Sequence, residues 1–160
     1  MSDTGLTWSW HRLGEMAAGL LLEILHLRQD VFILEQECFY PDIDGLDPMA
    51  HHLVGRDRAG IIVAYCRVFA PGDYYSEPAI GRVLVARSAR GTGAARAMME
   101  EAHRHGRETF GTDAARLNAQ AHLQGFYESL GYSVVRGPYD EDGIPHMEML
   151  RTGYARETAT

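Results

Sequence analysis

Residues 83–106, VLVARSARGTGAARAMMEEAHRHG, constrain this chain more than any other stretch. An apolar run suited to a strand meets a turn of arginines and glycines, which leads directly into a small-residue helix, predicted over about Gly91 to His105. A helix N-terminus carries unpaired N–H groups and the positive end of the macrodipole, so it suits a phosphate. Gly91 and Gly93 remove the side chains that would keep a ligand from those groups. Arg82, Arg87, Arg90 and Arg96 gather positive charge around the turn, in a chain whose formal net charge is -7. Ala95, Met98, Met99 and Ala102 are spaced as a buried stripe, with Arg96, Glu100, Glu101 and Arg104 on the solvent side.

Several phosphate-binding solutions are excluded. All 15 basic residues are arginine, so there is no P-loop lysine and no Schiff-base lysine. A dinucleotide fingerprint begun at Gly91 needs a third glycine where Arg96 stands, and a long side chain there prevents close helix–strand packing. What remains is Arg90-x-x-Gly93-x-Ala95 after a strand, a pattern that a glycine used simply to start a helix also satisfies. The acidic balance argues against nucleic acid as the main partner, because phosphate neutralisation needs a basic surface.

The rest of the chain supplies a mixed series of elements. LTWSW alternates as a first strand, and Leu20, Ile24, Leu27, Val31 and Leu34 recur at helical spacing from Met16 onward. CFYPDIDGLDP is a loop, followed by a hairpin turning at Asp57 to Gly60 and a third strand in AIGRVLVA. ARLNAQ is a short strand, HLQGFYESLG a short helix stopping at Gly131, and YSVVRGPY and IPHMEML a closing strand pair. This order gives an α+β domain, expected to be a single one over residues 1–160. No apolar run is long enough to span a membrane and no secretory leader is visible. Cys38 and Cys66 lack the partners of a disulfide framework, so a cytoplasmic protein with reduced thiols is expected.

Metal chemistry is not expected. His51 and His52 are strand neighbours and point to opposite faces, His103 and His105 diverge on a helix, and no His-Glu-x-x-His occurs. DIDGLD has its glycine two positions early for a calcium loop, and Leu53 stands where the loop's glutamate belongs. The acidic loops around Asp42, Asp44 and Asp47 and around Asp140, Glu141 and Asp142 are solvated turns or, acting together, attract a cationic amine.

RGTGAARAMM after GRVLV resembles the acyl-CoA-binding motif of the GNAT superfamily of N-acyltransferases, and FYESLGY resembles its later motif. LRQDVFILEQECFYPDIDGLD, AQAHLQGFY and YDEDGIPHMEM are similar to the ElaA-like branch, so the resemblance runs from about Thr7 to Arg151. It implies a mixed, mostly antiparallel central sheet with helices on both faces, splayed at the acyl-CoA site. Val83, Leu84 and Val85 would then offer backbone groups to the pantetheine arm of acetyl-CoA. The backbone N–H groups of Arg90, Gly91, Thr92, Gly93, Ala94 and Ala95 would hold its pyrophosphate. Gln120 stands where the family often has asparagine, seven residues before the tyrosine.

The implied reaction is direct transfer of an acetyl group to a primary amine, small-molecule or peptide. Tyr127 would protonate the departing thiolate, a backbone N–H near Val85 would meet the carbonyl oxygen, and no cysteine or metal is required. Glu35, His52 and His146 are candidates for proton removal or substrate contact, each with a structural hydrogen-bonding role as its alternative. A non-catalytic acyl-CoA sensor or an interaction domain of the same fold stays open, as does a homodimer. No nucleic-acid or membrane partner is expected.

Overall fold

The computed structural model of the chain describes residues 3–153; the ends of the expected 1–160 domain lie outside the described residues. Strand β1 (Thr7–Arg12) is followed by helix α1 (Ala18–Arg28), which widens into a π-helical segment at Gln29–Glu35. A loop then leads to β2 (His51–Arg56), β3 (Ile62–Phe69) and β4 (Ala79–Val85). Helix α2 (Ala94–Thr109), β5 (Ala115–Gln120), the short α3 (Gln124–Glu128), β6 (Tyr132–Glu141) and β7 (Ile144–Arg151) complete the order. The seven strands form one sheet in the order β1-β2-β3-β4-β5-β7-β6, antiparallel except between β4 and β5.

Strand alternation splits the core between two faces. Leu53, Ala64, Cys66 and Val68 point to one side, where Met98, Met99 and Ala102 of α2 cover them together with Leu117, Tyr127, Tyr132 and Met149. Val54 and Tyr65, one residue out of phase, point to the other side and pack with Ile24, Val31, Phe32 and Leu84. The expected mixed, mostly antiparallel sheet with helices on both faces is therefore the observed fold.

Two local expectations are corrected. Helix α2 begins at Ala94 rather than Gly91, because Gly91 (φ 76°) and Gly93 (φ 85°) are left-handed and cannot continue a right-handed helix. That offset puts Ala94 in the buried stripe and leaves Ala95 half-buried beside the turn.

The second correction concerns charge. Asp42, Asp44 and Asp47 are not free to attract an amine, and Arg82 does not belong to the cluster at the α2 turn. Together with Arg28 and Arg67 they close a ring in which every carboxylate lies between two guanidinium groups. Arg28 Nε lies 2.9 Å from Asp42 Oδ2, and its NH1 2.8 Å from Asp47 Oδ1. Arg67 reaches Asp47 Oδ1 at 3.1 Å and Asp44 Oδ2 at 2.5 Å. Arg82 reaches Asp44 Oδ2 at 3.3 Å, and its Nε lies 2.8 Å from Asp42 Oδ1 in an ionic contact without hydrogen-bond alignment. Arg28 is 0% exposed, and burying such charges is tolerable only because each is paired.

Burial alone would raise the Asp44 carboxyl above its ordinary 3.8. The bonds from Arg67 and the Leu46 N–H, with the charges of Arg67 and Arg82, outweigh it and lower the group to about 2. A carboxyl depressed in the folded state contributes stability that is full above its unfolded value and disappears as pH falls through its folded one. The melting temperature should therefore drop between about pH 4 and pH 2. Asp44→Asn, less stable at neutral pH, should lose less over that interval, and equal losses in both proteins would remove Asp44 as the cause.

Candidate acyl-CoA site

The sheet is built to part at β4. Tyr65 pairs with Leu84 and Arg67 with Gly81, so Cys66 alone faces two residues, Arg82 and Val83. The surplus residue makes a bulge, and Arg82 takes a left-handed φ of 48° there. Between β4 and β5 the only register pair is Ala79 with Arg116, beside the bond from Arg116 N–H to Pro78 O at 2.8 Å. Further along, the edge formed by Val83, Leu84 and Val85 has no strand beside it. Leu84 buries its side chain under α1, so on the open side it offers backbone only.

That edge runs into the glycine turn. After a 3-10 turn at Arg87–Ala89, the N–H groups from Gly91 to Arg96 have no acceptor among the described residues. The next N–H, of Ala97, bonds to Gly93 O at 3.0 Å. Arg90 was expected within the free set, but its N–H bonds to Arg87 O at 3.3 Å, closing the 3-10 turn. A Cβ on Gly91 would meet nothing within 4 Å, so it faces open space, and Gly93 lines the same pocket. The pocket there measures about 290 Å³ and is bounded by Val85, the turn, Ala94 to Arg96 and Phe126. Six unpaired donors, three in the turn and three in the first turn of a 16-residue helix, fit a pyrophosphate.

Gly93→Val would place a β-branched side chain at φ 85°, in the mouth of this cradle. The folded variant should bind CoA at least about tenfold more weakly, ~1.4 kcal/mol. Calorimetry giving wild-type affinity would remove the cradle.

The Arg90 side chain is a strut rather than a free cation. Its NH1 and NH2 donate to the two carboxylate oxygens of Glu35, the latter at 2.9 Å, and its Nε donates to Val85 O at 3.0 Å. Arg87 lies 3.7 Å from the same carboxylate, and these contacts hold Glu35 below the usual glutamate range. Glu35 thus joins the π-helical segment to the glycine turn, and a carboxylate clamped by arginine is a weak proton acceptor.

Tyr127 lies where the short α3 helix meets the core. It is 4% exposed and packs edge-on to Phe126 at 5.1 Å and Tyr132 at 5.8 Å. Its hydroxyl has no hydrogen-bond partner among the described residues. The other two buried tyrosines differ: Tyr132 meets His103 Nε2 at 2.7 Å and Tyr65 meets His52 Nδ1 at 2.6 Å. Burial, with a smaller contribution from Cys66, pushes the Tyr127 phenol well above its ordinary value. It therefore remains a neutral donor throughout the working pH range.

The remaining candidates separate. His52 is 1% exposed; its Nε2–H donates to Asp47 O at 2.9 Å and its Nδ1 accepts from Tyr65, so both nitrogens are used. His146 lies on β7 directly opposite Gln120. Its Nδ1 is 2.8 Å from Ile144 O, and a carbonyl can only accept, so the neutral ring carries its proton on Nδ1. Nε2 then holds a lone pair, 3.7 Å from Glu141. Gln120 reaches across the parted sheet to Gln36 Oε1 at 3.3 Å. Cys38 Sγ donates to Asp142 O at 3.4 Å, tying the loop to the β6–β7 turn.

Among the described residues no group of three or more His, Cys, Asp or Glu is placed to hold a metal ion, and no helix is long and apolar enough to cross a membrane. Sequence reasoning missed the Arg–Asp ring and the Glu35–Arg90 strut. The available signal was Arg28, four residues after Ile24 in the buried helical stripe, where an arginine demands a partner.

A family model described as an acetyltransferase (GNAT) domain matches residues 29–152. A UPF0039 protein of Synechocystis is 39% identical over 145 residues, 91% of this chain and 94% of its own. The Escherichia coli protein ElaA is 36% identical over 148 residues, 91% and 96% of the two chains. Among solved structures, an acyl-CoA N-acyltransferase from Pseudomonas aeruginosa superposes with a TM-score of 0.86 at 36% identity, over 92% of this chain and 99% of that one. The E. coli ElaA structure does so with a TM-score of 0.84 at 35% identity, over 91% and 99%.

Proposed function

The chain belongs to the GNAT acetyltransferase family, in its ElaA-like branch, and from that premise we propose that it transfers an acetyl group from acetyl-CoA to a primary amine. One observation carries the reading: an unpaired strand edge leads directly into six consecutive free backbone N–H groups. The Pseudomonas structure, described as an acyl-CoA N-acyltransferase, supports the donor class. Acetyl-CoA supplies an activated acyl carbonyl and a thiol leaving group.

The residues of this chain do the rest. Gly91 to Arg96 bind the pyrophosphate through their N–H groups. The backbone of Val83 to Val85 aligns the pantetheine arm, and a strand N–H near Val85 meets the negative charge that develops on the acyl oxygen. Tyr127 donates its hydroxyl proton to the departing sulfur and regains one from the attacking nitrogen, which sheds its surplus proton as the amide forms. His146 Nε2 takes the proton that an ammonium must lose before it attacks, and Glu141 steadies the resulting imidazolium. Glu35 positions the turn through Arg90, and His52 fixes the loop at Asp47. Gln120 and Gln36 border the opening that the amine enters.

Calorimetric titration with CoA, followed by assay of free thiol released from acetyl-CoA across a panel of polyamines, amino acids, aminoglycosides and peptides, tests the reading. CoA binding together with thiol release for one amine class is expected. Absence of CoA binding would sink the proposal, and binding without release across the panel would make the domain an acyl-CoA sensor.

A further inference from the structure

Arg82 occupies an expensive position. A non-glycine residue at φ 48° is strained, so something must hold it there. Its β3 neighbours do not, because the ladder is interrupted opposite it. The loop before β2 does. Arg82 NH2 donates to Asp42 O at 3.1 Å and approaches Asp44 Oδ2 at 3.3 Å, Nε faces Asp42 Oδ1 at 2.8 Å, and the guanidinium lies 5.3 Å from the Tyr40 ring centroid. All four anchors come from residues 40–44. Those anchors are themselves fixed, since Arg28 bonds Asp42 and Arg67 bonds Asp44. Glycine would relieve the strain at position 82 but would give the loop nothing to grip.

We propose that Arg82, Asp42 and Asp44 are positioning residues: they clasp the β4 bulge, and so keep the Val83–Val85 edge parted from β5 and ready for the acyl-CoA arm. The loop at residues 40–44 and the strand proposed to hold the donor thereby become one mechanical unit. For its consequence on binding, the inference rests on the acyl-CoA reading above.

Arg82→Gly separates the clasp from the strain, because glycine adopts φ 48° freely while losing every anchor. Asp44→Asn keeps the shape and removes one charge of the ring, so it serves if Arg82→Gly does not fold. In the ligand-free variant, hydrogen exchange along Gly81–Leu84 and its partner segment Tyr65–Arg67 should rise at least about tenfold, with β2 unaffected. The CoA dissociation constant should rise at least about tenfold, while the single-turnover rate at saturating acetyl-CoA stays within about threefold. A lower melting temperature with wild-type exchange at both segments and wild-type CoA affinity would overturn the clasp and leave the ring as scaffold. If the wild-type protein binds no CoA, the acyl-CoA reading fails separately. The exchange data then decide the clasp alone: faster exchange upholds it and unchanged exchange overturns it.

Discussion

Tyr127→Phe should lower the single-turnover rate by about 10²-fold or more, with CoA affinity unchanged and the protein no less stable. The stability half of this expectation comes from the missing partner. Deleting a hydroxyl that hydrogen-bonds to a neighbour leaves that neighbour unsatisfied and costs about 1–3 kcal/mol, but the Tyr127 hydroxyl has no such neighbour among the described residues. The ring, packed edge-on to Phe126 and Tyr132, is kept in full. Loss of rate without loss of stability is thus the signature of a hydroxyl held for a group that arrives with the substrate. Tyr132→Phe is the matched control: it strips His103 Nε2 of its partner and should lower the melting temperature while sparing the chemical step. Single-turnover measurement avoids masking by slow product release. Wild-type single-turnover rates in Tyr127→Phe would remove the residue from the mechanism.

The parts legible in the sequence are those written in local patterns. Alternation in HHLVGR and IVAYCRVF fixed the first hairpin and placed His51 and His52 on opposite faces. His52 now meets Tyr65 in the core, and His51 meets His105 on the other side. The strand, glycine turn and helix of residues 83–106 were legible as such, because the backbone geometry that frees six N–H groups needs only local residues. What stayed hidden is pairing across distance. Arg28 and Asp42 are 14 residues apart, Arg90 and Glu35 are 55, and Gln120 and Gln36 are 84. In isolation the arginines read as charge for the phosphate, and the aspartates as solvated turns or, acting together, as an attraction for the amine. Once folded, the chain spends these charges on one another. At the glycine turn Glu35 offsets Arg90, while Arg96, bonded to the Ser129 hydroxyl, keeps its charge at the pocket.

A second large effect is expected at His146. If its Nε2 lone pair receives the ammonium proton, His146→Gln should cut the single-turnover rate at saturating acetyl-CoA by about 10²-fold for any amine the panel identifies. Glutamine retains an N–H donor for the Ile144 carbonyl but has no basic nitrogen, so the strand pairing with Gln120 should survive. CoA affinity should be unchanged, because β7 lies apart from the glycine turn proposed to bind the phosphates. His146→Ala opens space where the imidazole stood, and added imidazole should restore part of its rate while doing nothing for His146→Gln. Rescue of that kind separates a base from a residue that only shapes the pocket, since a lost contact is not replaced by a soluble proton acceptor. Glu35 supplies the contrast. Glu35→Gln removes the charge that holds Arg90 and should weaken CoA binding more than it slows saturated turnover, with no response to imidazole. Should His146→Gln turn over at the wild-type rate, the ammonium must lose its proton to another acceptor. The lone pair at Nε2 would then have no part in the reaction.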